Sequence, residues 1–224
     1  MTSSPRFTTV LFDLDGTLVD TIPLIVASYQ HAFRTVTGEE VEDARARAWI
    51  GRPLLDALLE ESPEHGHELD RVYREWNLAN TQRLIRPYAA VPELLDALAS
   101  AGVTTGIVTS KRRKTAHLAL ASVGLEDRIE VAAGLEDTEA HKPDAAPLRH
   151  GMQVLGLDPS DPATLASTAY VGDATVDVLA ARAAGLTPIA VTWGAGEREA
   201  LTATGPATVA TTMGDLAAYL GVSL

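Results

Sequence analysis

The segment 9-TVLFDLDGT-17 places a short apolar run directly before two carboxylates. An apolar run of this length that ends at a glycine-containing turn is typical of a strand buried on both faces. We therefore predict a strand over Thr9–Phe12, with the turn at Gly16. Strands of this kind belong to parallel sheets that carry helices on both sides. The segment thus predicts an α/β protein with a charged pair at the end of its first strand.

Further along the chain, the residues after Pro87 alternate between strand and helix patterns. Strands are predicted over 103–109, 129–133, 169–171 and 188–192, and a weaker one over 207–210. Helices are predicted over 92–100, 113–122, 145–155, 176–184, 198–203 and 215–220. This alternation is typical of a Rossmann-like parallel sheet with helices on both faces.

The alternation is interrupted between residues 20 and 86, where the apolar spacing predicts helices alone. These helices are expected over 23–36, 53–61 and 68–85. A chain of 224 residues is long enough for one core domain with an insertion. We predict a core of residues 1–19 and 87–224, with an α-helical domain inserted over residues 20–86.

Polar residues follow four of the predicted strands, where ligands bind in parallel α/β sheets. They are Asp13 and Asp15, Thr109-Ser110-Lys111, His141-Lys142-Pro143, and Gly172-Asp173 with Asp177. Crowded carboxylates raise one another's pKa unless a cation neutralises them. Oxygen ligands of this kind suit Mg²⁺, which is usually held by a few carboxylates, water and a substrate phosphate. The pattern predicts a site that binds Mg²⁺ and a phosphoryl group.

The composition restricts the partners. The net charge is −12, which argues against nucleic acid and against anionic membrane surfaces as partners. Cysteine is absent, which excludes disulfides, thiolate metal sites and cysteine nucleophiles. The sequence shows neither a targeting segment nor an apolar run long enough to span a membrane, so we expect a cytoplasmic protein.

These motifs resemble those of the haloacid dehalogenase superfamily of hydrolases. Asp13-Leu14-Asp15-Gly16-Thr17 is similar to its first motif, Thr109 to its second, Lys142 to its third, and Gly172-Asp173 with Asp177 to its fourth. The helical insertion over 20–86 resembles the α-helical cap of this superfamily, and we call it the cap. Val108-Thr109-Ser110-Lys111 and Thr192-Trp193-Gly194 carry a finer resemblance to phosphoglycolate phosphatases and to bacterial pyrophosphatase-type members. Ser110 departs from the asparagine more usual in phosphoglycolate phosphatases.

The resemblance implies catalytic roles for four residues. Asp13 would attack phosphorus and form an aspartyl phosphate, and Asp15 would first protonate the leaving group and then activate water. Thr109 and Lys142 would bind the oxygens of the transferring phosphoryl group.

The resemblance also implies a Mg²⁺ site and contacts to the substrate. Asp13, the backbone carbonyl of Asp15, and Asp173 would bind Mg²⁺, with Asp177 at or next to the ion. The substrate-binding residues would be Gly16, Ser110, Lys111 and, from the cap segment Gly51-Arg52-Pro53, Arg52, because arginine suits a carboxylate or a phosphate.

The function expected from these features is Mg²⁺-dependent hydrolysis of a small phosphorylated metabolite such as phosphoglycolate. An inorganic pyrophosphatase and a phosphosugar mutase of the same superfamily remain alternatives, whereas Asp15 argues against a dehalogenase. A catalytically silent phosphate- or partner-binding protein is the alternative outside the enzymes. The chain is expected to be a monomer or a homodimer.

Overall fold

The computed structural model of the chain describes residues 5–224, so residues 1–4 of the predicted core lie outside the described part. Its strands are β1 Thr9–Phe12, β2 Val19–Asp20, β3 Arg86–Pro87, β4 Thr104–Val108, β5 Val131–Ala133, β6 Thr168–Gly172, β7 Thr187–Val191 and β8 Thr208–Ala210. The cap helices are α1 Ile22–Val36, α2 Asp43–Ala48, α3 Leu54–Glu61 and α4 Gly66–Leu84. The core helices are α5 Val91–Ser100, α6 Arg113–Val123, α7 Ala146–Val154, α8 Pro162–Ala166, α9 Thr175–Ala184, α10 Arg198–Ala203 and α11 Met213–Leu220.

Six strands form one parallel sheet in the order β5-β4-β1-β6-β7-β8, as the alternation predicted. Strand β1 lies between β4 and β6, with Phe12 level with Ile107 and Val171. The chain therefore proceeds to one side of β1 first and returns to the other side later. A ligand crevice is expected outside the carboxyl ends at this point of reversal, and Asp13 follows the last residue of β1 there.

Helices cover both faces of the sheet. Because successive residues of a strand point to opposite faces, the residues of β1 contact a different set of helices on each face. Val10 and Phe12 pack with α5, α6 and α11 on one face, whereas Leu11 packs with α7 and α9 on the other. All three side chains are almost fully buried. This packing explains why β1 is a continuous apolar run rather than an alternating one.

The cap has a hydrophobic cluster of its own, built from α1, the α2–α3 region and α4. The ring centroid of Tyr29 lies 4.9 Å from that of Trp49 and 4.8 Å from that of Tyr73. A separate apolar cluster is what an independent structural unit needs, and it supports our proposal that residues 20–86 form a domain distinct from the core.

Four short elements, β2, β3, α2 and α8, differ from the sequence-based expectation. The cap boundary is not purely helical, because β2 and β3 pair antiparallel, with Val19 opposite Pro87 and Asp20 opposite Arg86. Two-residue strands carry no detectable period. Helix α2 was missed because it has only six residues, DARARA, in which alanine alternates with charged residues. Helix α8 was missed although Asp161 caps it and Pro162 begins it, which are recognised start signals.

Among residues 5–224, every helix is too short or too polar to cross a membrane.

Candidate active site

A buried ammonium group joins two of the predicted site carboxylates. The Lys142 Nζ donates hydrogen bonds to Asp13 Oδ1 at 2.9 Å and to Asp177 Oδ1 at 2.7 Å. It also donates to the hydroxyl of Tyr170 at 3.0 Å, which in turn donates to the carbonyl of Val108 at 2.7 Å. The Lys142 side chain is only 1% exposed. The ammonium is therefore fully bonded and fixed in position.

The third carboxylate of the cluster, Asp173, is held by neutral donors. Its Oδ1 accepts from the hydroxyl of Thr17 at 3.0 Å, and its Oδ2 accepts from the backbone N–H of Ala195 at 2.7 Å. Asp13, Asp173 and Asp177 each offer a carboxylate oxygen, and these oxygens lie within 4.8 Å of one another. The end of β1 and the end of β6 thus bring three buried acids to one point.

The electrostatics of the cluster follow from its burial. Burial raises the pKa of Asp13 to about 6, although the Lys142 ammonium opposes this shift. Burial also raises the pKa of Asp173 well above its usual range, and the charges of Asp177 and Asp13 add to the effect. Burial disfavours the ammonium of Lys142, but Asp13 and Asp177 outweigh this penalty and raise its pKa. Among the described residues, one ammonium therefore faces three carboxylates.

This donor set suits a hard divalent cation. All of its ligand atoms are oxygens, and its unbalanced negative charge is what a cation would neutralise. The three carboxylates would lose their mutual repulsion when such an ion binds. The residues present therefore fit the Mg²⁺ ion that the sequence predicts.

Two glycines allow the backbone to approach Asp173. Gly16 has φ of +80°, and a Cβ there would lie 2.3 Å from Asp173 Oδ2. A Cβ at Gly194 would lie 2.1 Å from the same oxygen. Both positions exclude a side chain because such distances are far below van der Waals contact. The predicted site residue Gly16 thus lies against a candidate metal ligand.

Gly16→Ala should destabilise the fold and displace Asp173. The control is Gly38→Ala, since Gly38 has a similar φ of +75° but nothing within 4 Å of the added Cβ. We expect the control to lose only about 1–2 kcal/mol of stability, which is the cost of placing alanine in the left-handed conformation. Gly16→Ala should lose more and should bind Mg²⁺ more weakly. Urea denaturation with and without Mg²⁺ measures both effects, and equal losses in the two variants would contradict the steric argument.

Asp15 and Lys111 form an ion pair at the edge of the cluster. The Lys111 Nζ lies 3.0 Å from Asp15 Oδ1 and 2.9 Å from Oδ2, and the two side chains are 14% and 16% exposed. The hydroxyl of Thr109 accepts a hydrogen bond from the Lys111 N–H at 3.2 Å. Residues that follow β1 and β4 therefore meet, as the strand-end argument predicts.

The basic run 111–114 divides in two. Lys111, Arg112 and Lys114 line the cavity above Asp13. The Arg113 guanidinium turns away and donates to Asp137 Oδ2 at 2.5 Å. Most of this run therefore adds positive charge to the site, and one member anchors α6 to the turn after β5.

The cap contacts the core beside the site. The hydroxyl of Ser110 donates to the carbonyl of Gly51 at 3.0 Å. A Cβ at Gly51, where φ is +91°, would lie 2.9 Å from the Cβ of Ala174 at the start of α9. The adjacent Arg52 lines the cavity and pairs with Glu60. The predicted cap loop thus lies directly opposite the predicted phosphate-binding residues.

A cavity of about 830 Å³ lies between the cap and the core above Asp13. The predicted site residues among its lining are Asp13, Asp15, Thr109, Ser110, Lys111 and Arg52. The remaining predicted residues, Lys142, Asp173, Asp177 and Gly16, form its buried support through the contacts above. The sequence missed Tyr170, Thr17 and the N–H of Ala195; Tyr170 stands at an ordinary apolar strand position, and no sequence signal marks it.

Comparison with known proteins identifies the family. The family model of the haloacid dehalogenase-like hydrolases matches residues 10–191, which include every residue of the cluster. The chain belongs to the haloacid dehalogenase-like hydrolases. The predictions of this superfamily and of a phosphatase-type enzyme are therefore confirmed.

This hydrolase has relatives along nearly its whole length. It is 35% identical to the pyrophosphatase PpaX of Bacillus velezensis over 97% of its own length and 98% of the relative's. It is 37% identical to PpaX of Halalkalibacterium halodurans over 80% of each chain.

Solved structures agree with the fold of the hydrolase. A haloacid dehalogenase-like family protein from Streptococcus pneumoniae superposes with a TM-score of 0.84 at 24% identity, covering 96% of this chain and 98% of the other. A predicted phosphoglycolate phosphatase from Haemophilus somnus gives a TM-score of 0.78 at 25% identity, covering 91% and 93%. The α/β class is therefore confirmed.

Proposed function

We propose that the hydrolase is a Mg²⁺-dependent phosphatase that cleaves a phosphate ester of a small metabolite through an aspartyl phosphate on Asp13. The observation that supports this most is the position of Asp13, which lies beneath the cavity and is fixed by Lys142. A carboxylate that is hydrogen-bonded on one side and faces a cavity on the other can attack only a substrate that lies in the cavity.

The first half-reaction uses Asp13 and Asp15. A carboxylate oxygen of Asp13 forms a bond to phosphorus while the ester oxygen leaves, and Asp15, which must enter this step in its protonated form, gives its proton to that oxygen. Both carboxylates line the same cavity. The products are a free alcohol and the aspartyl phosphate.

In the second half-reaction, Asp15 takes a proton from a water molecule, whose oxygen attacks the phosphorus of the aspartyl phosphate. The bond to Asp13 breaks, which releases inorganic phosphate and restores the carboxylate. Lys111 holds both oxygens of Asp15 and keeps the side chain beside the cavity. Asp15 thus serves as the acid first and as the base afterwards.

Phosphoryl oxygens would be bound by groups from the strand ends. Thr109 contributes its hydroxyl and Ser110 its backbone N–H, while the Lys142 ammonium, whose hydrogen bonds go to Asp13, Asp177 and Tyr170, adds positive charge behind Asp13. Arg52 and Lys111 line the cavity and would contact the rest of the substrate or its outer oxygens.

Asp13, Asp173 and the backbone carbonyl of Asp15 would hold Mg²⁺, with Asp177 next to the ion. Asp177 accepts hydrogen bonds from Lys142 and from the N–H of Ala174, so it positions the ammonium beside Asp13. When bound, Mg²⁺ supplies positive charge to the phosphoryl group during transfer.

Removal of the metal should abolish turnover. We expect no hydrolysis of acetyl phosphate in excess chelator and full recovery when Mg²⁺ is restored. Asp173→Asn should raise the Mg²⁺ concentration for half-maximal activity by roughly tenfold or more, since even indirect partners of a metal change affinity on that scale. The control is Asp96→Asn, an exposed carboxylate paired with Arg128. Full activity in chelator would contradict the metal requirement.

Pyrophosphate is a second candidate substrate. The relatives named pyrophosphatase PpaX are similar to this chain over nearly its whole length, which favours this candidate. Initial rates for phosphoglycolate, pyrophosphate, sugar phosphates and nucleotides under the same Mg²⁺ conditions would rank the two candidates.

A further inference from the structure

The cavity above Asp13 extends well beyond the space that a phosphoryl group occupies. Its volume of about 830 Å³ falls in the range of sites that enclose a drug-sized organic molecule. Pyrophosphate and phosphoglycolate are much smaller than such molecules and are strongly hydrated anions. Either one would leave most of the cavity to water.

The walls of the cavity beyond the charged end are mainly apolar. The apolar side chains that line it are Ile25, Tyr29, Trp49, Ile50, Leu54, Tyr73 and Leu78 from the cap, and Leu118, Ala121 and Leu135 from the core. An apolar wall in contact with water is unfavourable, and an organic group that covers it gains the hydrophobic contribution. The cavity thus has a phosphate-binding end and an apolar end.

The size of the cavity does not come from a cap that is detached from the core. Gly51 accepts the hydrogen bond of Ser110 at 3.0 Å, and the space between Gly51 and Ala174 is too small for a Cβ. This part of the cap is therefore already in contact with the core. The space between α1, α4 and α6 remains while the cap loop is in contact.

The charges around the cavity select an anion. Asp13 and Asp15 are its acidic lining residues, whereas the basic ones are Arg52, Arg74, Lys111, Arg112 and Lys114. Two of these cations, Arg112 and Lys114, lie on exposed surface at the start of α6. Arg52, Arg74 and Lys111 are paired with the carboxylates of Glu60, Asp70 and Asp15, so Arg112 and Lys114 carry most of the positive charge that would attract a phosphorylated molecule.

We propose that the preferred substrate is a phosphate monoester of a bulky, largely apolar alcohol, of the size of a fused aromatic ring system, which lies between α1, α4 and α6. This inference rests on the phosphatase function proposed above. The phosphate occupies the end at Asp13 and Lys142, and the apolar group covers Leu118 and Ala121 on α6. The hydrophobic contact supplies the selectivity over pyrophosphate.

The test compares kcat/KM, in saturating Mg²⁺, for pyrophosphate, phosphoglycolate, acetyl phosphate, phenyl phosphate and 1-naphthyl phosphate. The two aryl esters have similar leaving groups and differ in apolar size. We expect 1-naphthyl phosphate to exceed phenyl phosphate by about tenfold or more, which is the scale of small hydrophobic differences in a pocket, and to exceed pyrophosphate as well. Equal values for the two aryl esters, or a higher value for pyrophosphate, would overturn the inference. Absence of hydrolysis for every compound would instead refute the phosphatase function.

A variant that fills the apolar end tests the location. Leu118→Trp should reduce the ratio of the 1-naphthyl to the phenyl value towards one. The matched control is Leu179→Trp, because Leu179 is 42% exposed on α9 and lies outside the cavity lining. Ala121→Leu should lower the same ratio, and its exposed position on α6 makes misfolding a minor concern. A ratio that stays unchanged in both cavity variants would overturn the proposed location.

Discussion

Replacement of Asp13 by asparagine should remove hydrolysis of every phosphate ester while leaving the fold intact. We expect a loss of roughly 10⁴-fold or more in kcat, the scale seen when a covalent nucleophile is removed. An amide cannot form the mixed anhydride, although it keeps the shape of the side chain. Assays with acetyl phosphate and an aryl phosphate measure the loss, and acid-quenched mass spectrometry should detect phosphate on the wild-type enzyme but not on the Asp13→Asn variant.

The stability of this variant provides a second readout. Burial raises the pKa of Asp13 to about 6 in the folded chain, from 3.8 in the absence of the protein environment. The ionised carboxylate is therefore less favourable in the metal-free fold than in the unfolded chain. This cost is fully present at pH 7, shrinks as the pH falls below about 6 and is gone only below 3.8. Asparagine carries no such cost, so the metal-free variant should be at least as stable as the wild type at pH 7.

Asp15→Asn is the matched control for the nucleophile. Because an aryl phosphate has a good leaving group that needs little protonation, this variant should still become phosphorylated on Asp13 and then lose the phosphate slowly. Phosphate found on another residue in either variant, or full activity of Asp13→Asn, would contradict the assignment of Asp13.

Replacement of Lys142 by methionine should have the largest effect on stability. The Lys142 ammonium is shared by Asp13 and Asp177, and the three side chains are at most 6% exposed. Removal of one partner from a buried ion pair typically costs about 3–5 kcal/mol, because the remaining charge stays buried without compensation. The variant would leave two buried carboxylates, Asp13 and Asp177, without a compensating charge. Urea denaturation in the absence of metal measures the loss.

Two comparisons make the result for Lys142 specific. Arg34→Met breaks an ion pair with Glu40 whose side chains are 60% and 70% exposed, and we expect a far smaller loss of stability than for Lys142→Met. Lys142→Met combined with Asp177→Asn should recover part of the stability, since it removes one uncompensated charge. If Lys142→Met were as stable as the wild type, the ammonium could not be the group that balances the cluster.

The sequence alone could predict those parts of the site whose positions are set by the sheet. Asp13, Thr109 and Asp173 each follow a buried strand, and parallel strands bring such ends to one edge whatever the distance along the chain. The rule needed no knowledge of packing, and the structure places Asp13 and Asp173 in one carboxylate cluster.

The parts of the site that depend on side-chain packing could not be predicted from the sequence. The Tyr170 hydroxyl reaches Lys142 only because its ring lies in the apolar layer between the sheet and α9. The N–H of Ala195 reaches Asp173 only because Gly194 admits the carboxylate beside the backbone. Neither contact involves a residue type or spacing that distinguishes it from ordinary core or loop positions. The apolar cavity likewise depends on how far the cap lies from α6.

The two-stranded ribbon of β2 and β3 has a consequence for the evolution of the inserted segment. The cap leaves and rejoins the core at residues that face each other, since Val19 pairs with Pro87 and Asp20 with Arg86. A segment whose two ends meet can vary in length and content without straining the sheet to which it is joined, which is why insertions are tolerated at such places. The catalytic side chains at the sheet edge lie outside this inserted segment, whereas much of the wall proposed to contact the organic group lies within it. Exchange of this one module could therefore change the fit of the organic group while every catalytic side chain stayed in place.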